Sequence, residues 1–489
     1  MSFSLRANQS KVTFSNLRFD AFYGLLLLVF AIFIVRLFYV QVIQHEHYKQ
    51  AALNGQLKEY SIPAERGVIE AHDGDGIVPI VLNRTVYTLF ADPVYVKDKK
   101  TAAEKLSAIT GAGFQDYLDK MQKDTRYAVL AKKLDKDKKS AIEALDIKGI
   151  GLREESIRAY PQGNLAAQIL GFVNDEGEGV YGIEQYMNDV LSGTPGELKA
   201  ITDIKGVPLV SNQDNVLKDP VAGKRIRLTI DIGMQKKVED LLREHLPTVN
   251  SKSGSVIVLD ANTGAVKAMA NYPSYDPRKY REVNDAGLFT NPSVSSPLEV
   301  GSIMKTLTVA TGLNTGAIKP NQTFFDPAKF TVDGYTITNV EEDGGPQTRS
   351  IRDILEYSLN TGATWITMQL GGGEINKKAR NVDYDYLTNH YFFGQKTGIE
   401  QGYEVPGVVP DPDNGSALDL KYANMAFGQG FTVTPIQMAS AFAATINGGI
   451  YYRPHLVDNG KDTDFWIKKK DVVSPKVSKE LRAMHENSV

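Results

Sequence analysis

Residues 299–305 read Glu299-Val300-Gly301-Ser302-Ile303-Met304-Lys305, a stretch that sets a hydroxyl and a primary amine three residues apart. On a helix, positions three apart share a face, so both groups project from one turn. An amine that loses its charge in a tight site can take the hydroxyl proton, which activates serine without a histidine. The spacing alone is weak evidence, because a motif acquires meaning only from its context. Its bland reading is a capping serine beside a solvated lysine. The rest of the chain decides between the two.

Ser358-Leu359-Asn360 follows downstream, inside a stretch from Ile351 to Asn360 that reads as helical. Alone, Ser358 and Asn360 are ordinary polar residues of a helix surface. A Ser-x-x-Lys followed by a Ser-x-Asn is, however, the signature order of penicillin-binding proteins and serine β-lactamases. Three more segments agree with it: Gly254 to Gly264 around Asp260-Ala-Asn-Thr263-Gly264, Tyr272-Pro-Ser-Tyr-Asp276, and Ala426-Phe-Gly428-Gln-Gly430 leading to Thr434-Pro435-Ile-Gln437. Together they closely resemble the transpeptidase domain of class B penicillin-binding proteins, from about Gly223 to the C-terminus. Val300 departs from the family, where proline is usual before the Gly-Ser pair.

The resemblance implies an α+β fold. An N-terminal transmembrane helix and an elongated mixed α/β pedestal precede a penicillin-binding, serine β-lactamase-like domain with an antiparallel sheet flanked by helices. It also implies roles. Ser302 would attack the carbonyl between the two terminal D-alanines of a peptidoglycan stem peptide, and Lys305 would be the general base, with Ile303 and Met304 turned to the core. Ser358 would relay a proton to the departing D-alanine, and Asn360 would hold Lys305 and the substrate amide. An amine from a neighbouring stem would resolve the acyl-enzyme, and β-lactams would acylate the same serine. No cofactor and no metal are implied.

Lys396-Thr397-Gly398 spells the family's third motif but falls in a turn ahead of Glu404-Val-Pro406-Gly407. The catalytic version lies on a strand beyond the Phe-Gly-Gln-Gly helix and supplies part of the oxyanion hole. This sequence reaches a helix at Ser478 to His485 and is expected to stop before that strand. Loss of one oxyanion donor costs about 10²–10³ in rate, so the 489 residues alone are expected to be inactive or nearly so, and the full-length parent protein that carries the strand is expected to be active.

From Ala21 to Val35 the chain is apolar without a break, and after Arg36 it continues to Ile43. Spanning a bilayer takes roughly 20 residues, so 21–43 suffices if Arg36 reaches the far interface. Arg6, Lys11 and Arg18 precede it, which keeps residues 1–20 cytoplasmic. No small-residue cleavage site follows, so the segment reads as an uncleaved anchor with the bulk of the chain extracytoplasmic. Residues 44–222 carry Arg66-Gly67-Val-Ile69, Arg158-Ala-Tyr160-Pro161 and Gly182-Ile-Glu184. These are similar to the family's pedestal, or dimerisation-type, domain. There Arg66 and Glu184 read as structural charges, in an ion pair or a turn, and not as carriers of chemistry. The dense charge at 97–105 and 132–139 is of mixed sign and reads as solvated helix faces. Past Gly223, the alternation over 225–231 predicts a strand and the spacing of Val238, Leu241 and Leu242 a helix. Asn262-Thr263-Gly264 marks a hairpin. The transpeptidase domain is assigned 223–489.

A net charge of −3 without a basic stripe leaves no nucleic-acid footprint, and the absence of cysteine excludes disulfides and thiol chemistry. The seven histidines are scattered. The expected partners are stem peptides, β-lactams and the membrane, with a glycosyltransferase and proteins of the division or elongation machinery. Two other classes compete: a penicillin-binding sensor or β-lactamase, against which the pedestal text argues, and a non-catalytic cell-wall scaffold, against which the intact site residues argue.

Overall fold

The computed structural model describes residues 13–48, 57–201, 216–340 and 345–486, and it divides into two compact units. One comprises the chain up to Ala64 together with Thr194–Val221. It contains the helix Thr13–Phe38, whose side chains from Ala21 on are exposed on every face. The run Ala21–Ile43 is 23 residues long, and none of its most apolar window is buried. A helix apolar all round, with no protein against it, has the composition of a bilayer span. The same unit holds a three-stranded antiparallel sheet in the order Leu57–Ile62, Gly196–Ile201, Val216–Lys218.

The other unit comprises Glu65–Gly193 and Ala222–Val489. Its longest strand, Gly76–Ala91, leaves the tight Gly74-Asp75 turn, with Asp73 opposite Gly76. The first half of that strand pairs with Ile69–Asp73, and the second with Ile150–Ala159 on one side and Ala128–Leu134 on the other. The helices Lys99–Thr110 and Phe114–Gln122 contribute Leu106, Tyr117 and Met121 to a core with Leu89 and Leu130. The charged stretches behave as solvated faces: Lys99–Thr110 buries Ala102, Ala103 and Leu106, and Lys136–Glu143 buries Ile142. Asp98 and Asp135 cap these two helices through the N–H groups of Thr101 and Lys138.

Arg66 and Glu184 meet in a buried knot. Glu184 is fully buried and accepts from Arg66 Nε at 2.6 Å and Arg158 Nε at 2.7 Å. Arg158 also donates to Asn83 Oδ1 and to the Gly67 carbonyl, both at 2.7 Å. Gly67 lies so close to the next segment that a Cβ on it would sit 2.0 Å from the Lys224 carbonyl oxygen. That contact leads the chain into the strand Ile226–Asp231, which pairs in parallel with Ile69–Asp73.

Asp231 then caps the helix Ile232–His245 by accepting from Met234 N–H. Val238 and Leu242 face the antiparallel hairpin Gly254–Leu259/Val266–Tyr272, while Leu241 stays 39 % exposed. Beyond the hairpin lies a largely helical core built around Met304–Asn314, in which every residue from Met304 to Leu313 is buried. Leu307 and Ala310 share one apolar cluster with Ile366, Tyr422, Ala441 and Leu481 of four surrounding helices. A helix sheathed in this way is a rigid base for whatever its first turn presents.

Candidate active site

That first turn begins at Gly301. Gly301–Ile303 is a tight helical turn leading into Met304–Asn314. Its position is fixed from outside by the Phe-Gly-Gln-Gly stretch. Gly301 N–H donates to the Gly428 carbonyl at 3.0 Å, and Gly430 N–H donates to Glu299 Oε1 at 2.8 Å. Leu298 and Val433 exchange both backbone bonds. Gly428 has φ +87°, and a Cβ there would meet the Gly301 carbonyl oxygen at 2.0 Å. Only glycine tolerates both conditions.

Lys305 is 1 % exposed, and its Nζ lies 3.1 Å from Ser302 Oγ, 2.9 Å from Ser358 Oγ and 2.5 Å from the Ser358 carbonyl oxygen. As an ammonium it donates to these three acceptors. As a neutral amine it donates twice and accepts the Ser302 hydroxyl proton. The exchange needs no heavy-atom movement.

Two expectations are corrected here. Met304 is buried, but Ile303 is 53 % exposed instead of turned to the core. It sits in the tighter turn before the α-helix proper, where side-chain directions differ from those of the helix that follows. Nor is Ile351 to Asn360 one helix. The helix Ile351–Glu356 ends, Ser358 takes φ +54°, and a new helix Asn360–Leu370 starts. A left-handed serine is uncommon and costs about 1–2 kcal/mol. Here it aims both the hydroxyl and the carbonyl of Ser358 at Lys305. Asn360 follows directly, and its Nδ2 donates to the Thr338 carbonyl at 3.0 Å.

Ser302, Lys305 and Ser358 line one open cavity of about 270 Å³, together with Ile303, Thr306, Leu355, Phe442 and His485. The last three were not legible in the sequence, where His485 is one scattered histidine among seven. Its Nε2 lies 3.3 Å from Thr306 Oγ1, and burial pushes its pKa down. A larger cleft of about 470 Å³, bordered by Tyr384, Asn389, Gln395 and Val408, contains none of the predicted site residues. The cavity with convergent polar groups is the chemical site.

Lys396-Thr397-Gly398 lies outside that cavity's lining. Thr397 donates to Glu404 Oε1 through N–H at 2.6 Å and Oγ1 at 2.5 Å, and Gly398 N–H donates to Oε2 at 3.1 Å. The carboxylate closes the turn, as a structural segment requires.

Residues 254–489 match the model of the penicillin-binding protein transpeptidase domain, and residues 61–228 match that of the penicillin-binding protein dimerisation domain. The chain belongs to the class B penicillin-binding proteins. Among its relatives in this family, stage V sporulation protein D of Bacillus subtilis is 28 % identical over 478 residues, covering 94 % of this chain and 71 % of the relative. Peptidoglycan D,D-transpeptidase FtsI of Escherichia coli is 27 % identical over 454 residues, covering 91 % and 73 %. Penicillin-binding protein 2X from Streptococcus thermophilus shares the fold with a TM-score of 0.70 at 24 % identity. The alignment spans 87 % of this class B chain and 66 % of that one.

Proposed function

We propose that this penicillin-binding protein is a serine-type peptidoglycan D,D-transpeptidase that cross-links stem peptides. The observation that carries the reading is the buried Lys305 amine in hydrogen-bond reach of both Ser302 Oγ and Ser358 Oγ. The name of the Escherichia coli relative supports the reaction class.

Ser302 Oγ attacks the carbonyl carbon between the last two D-alanines while Lys305 Nζ takes its proton. Negative charge collects on the carbonyl oxygen near the N-terminus of Met304–Asn314, where the helix dipole favours it. As the tetrahedral centre collapses, the C–N bond breaks. The proton passes from Lys305 through the Ser358 hydroxyl to the departing amine, and D-alanine leaves. An amine of a second stem then attacks the Ser302 ester. Its proton returns by the same route to Ser302 Oγ, and an isopeptide link remains. Asn360 would orient the donor peptide's amide. A β-lactam enters by the first step and has no leaving group to release.

In this reading residues 1–20 are a cytoplasmic tail and 21–43 cross the membrane once, with three basic residues before the span to hold that orientation. Residues 44–222 serve as pedestal and 223–489 as transpeptidase domain. The septal cell wall is the site of action, with a glycosyltransferase and other division or elongation proteins as partners. D-alanine release tests the reading: the full-length protein, given a synthetic pentapeptide and an amine acceptor, should liberate D-alanine and form the adduct. Equal release by Ser302→Ala would refute it.

A further inference from the structure

The turn that delivers Ser358 is held by residues far from it in sequence. Asp326 ends the strand Thr323–Asp326 and is 1 % exposed. Its Oδ1 accepts from Ala328 N–H at 2.8 Å, and its Oδ2 accepts from Asn339 Nδ2 at 3.0 Å and from Thr361 Oγ1 at 2.9 Å. Asn339 stands just past the strand Tyr335–Thr338, and its Oδ1 accepts from Thr361 N–H at 3.0 Å. The helix Asn360–Leu370 has no capping side chain of its own, since Leu359 occupies that position. Asn339 therefore supplies from a distance the acceptor that a Ser, Thr or Asp cap would give. One residue earlier, the Thr338 carbonyl takes the Asn360 amide. Successive bonds at 338–339 thus grip successive residues 360–361, immediately after the left-handed Ser358 and its neighbour Leu359.

We infer that Asp326 and Asn339 are positioning residues of the acyl-transfer site: through Thr361 they hold the strained Ser358 turn so that its hydroxyl stays within reach of Lys305. The inference rests on the transpeptidase reading for its kinetic consequence but not for its geometry. A left-handed serine persists only where its surroundings impose it. A displacement of about 1 Å from the productive position can cost on the order of 10²-fold in rate. The carboxylate–amide pairing is directional, because Asn339 both donates to Asp326 and accepts from Thr361, and an ionised carboxylate in its place could only accept.

The test is a swap. Asn339→Asp sets two carboxylates about 3 Å apart, where Asn339 Nδ2 meets Asp326 Oδ2. Asp326→Asn removes the buried carboxylate. Each single change in the full-length protein should lower the rate constant for acylation by a labelled penicillin about 10- to 100-fold per folded molecule. The double variant, with one carboxylate and one amide exchanged, should return to within about threefold of the parent. A purely structural role would lower the melting temperature and leave that rate constant unmoved in all three, and such a result overturns the inference. Thr361→Val, which keeps the volume and loses the hydroxyl, reads the same claim if a charge variant fails to fold. A parent that forms no adduct indicts the transpeptidase reading instead. The inference is then decided by a crystal structure of Asn339→Asp or Thr361→Val. A Ser358 Oγ shifted beyond hydrogen-bond range of Lys305 Nζ supports it, and an unmoved contact overturns it.

Discussion

Lys305 touches both serines of the site, so removing it and removing them are not independent events. Residues that work as one unit lose most of their effect with the first deletion. Lys305→Ala should therefore slow penicillin acylation by about 10³-fold or more, and Ser358→Ala added to it should cost only a few-fold further. A double-mutant cycle on the acylation rate reads this, and additive losses would mean the two act separately. The Ser302–Lys305 pair was legible because its geometry is local: three residues on one turn meet whatever else the chain does. The Ser358 turn was not. Residues 351–360 read as one helix, and the break at φ +54° is imposed by Asp326, Asn339 and Lys305, none of them near in sequence. Ile303 misled for a related reason, since a tight turn before the helix changes which way its side chain faces.

At the scale of elements, two short segments carry separate predictions. Gly428 braces the Ser302 turn with no room for a side chain, so Gly428→Ala should displace Gly301 and abolish measurable acylation. Wild-type acylation by that variant would show that the brace is dispensable. The Lys396-Thr397-Gly398 turn makes the opposite case. Lys396→Ala should leave acylation within twofold of the parent. Glu404→Ala strands the N–H groups of Thr397 and Gly398 and should cost about 2–4 kcal/mol of stability, seen in chemical denaturation. A motif's letters were readable here, and its position relative to Glu404-Val-Pro406-Gly407 separated the structural copy from a catalytic one. The hairpin around Asn262-Thr263-Gly264 was equally local and equally legible.

At the scale of the molecule, the knot of Arg66, Arg158 and Glu184 joins segments of the second unit that are distant in sequence. Glu184→Gln would leave two buried guanidinium groups short of a counter-charge and should cost about 3–5 kcal/mol, measurable as a drop in melting temperature. Sequence alone assigned Arg66 and Glu184 a structural role, in an ion pair or a turn. It could not supply Arg158, because nothing local marks a third member of a non-local cluster.

Two buried groups set opposite pH trends. Burial holds the Asp383 carboxyl up at about 7, so between its ordinary 3.8 and 7 the folded chain keeps a proton that the unfolded chain has lost. Stability from this group falls as pH rises through that window. Burial holds His455, stacked on Trp466, down at about 4, so between 6.5 and 4 the unfolded chain binds a proton that the folded one refuses. Stability from this group falls as pH drops. Asp383→Asn removes the first trend alone. Its melting temperature relative to the parent should therefore rise from pH 4.5 to 7.5, and a fall over that range would contradict the assignment.

Covalent capture at a single hydroxyl is the claim on which the rest depends, and intact-mass spectrometry reads it directly. The full-length protein incubated with a fluorescent penicillin should gain the mass of one drug molecule, and Ser302→Ala should gain none. An adduct that survives the alanine substitution, or a parent that stays unmodified, would contradict the account.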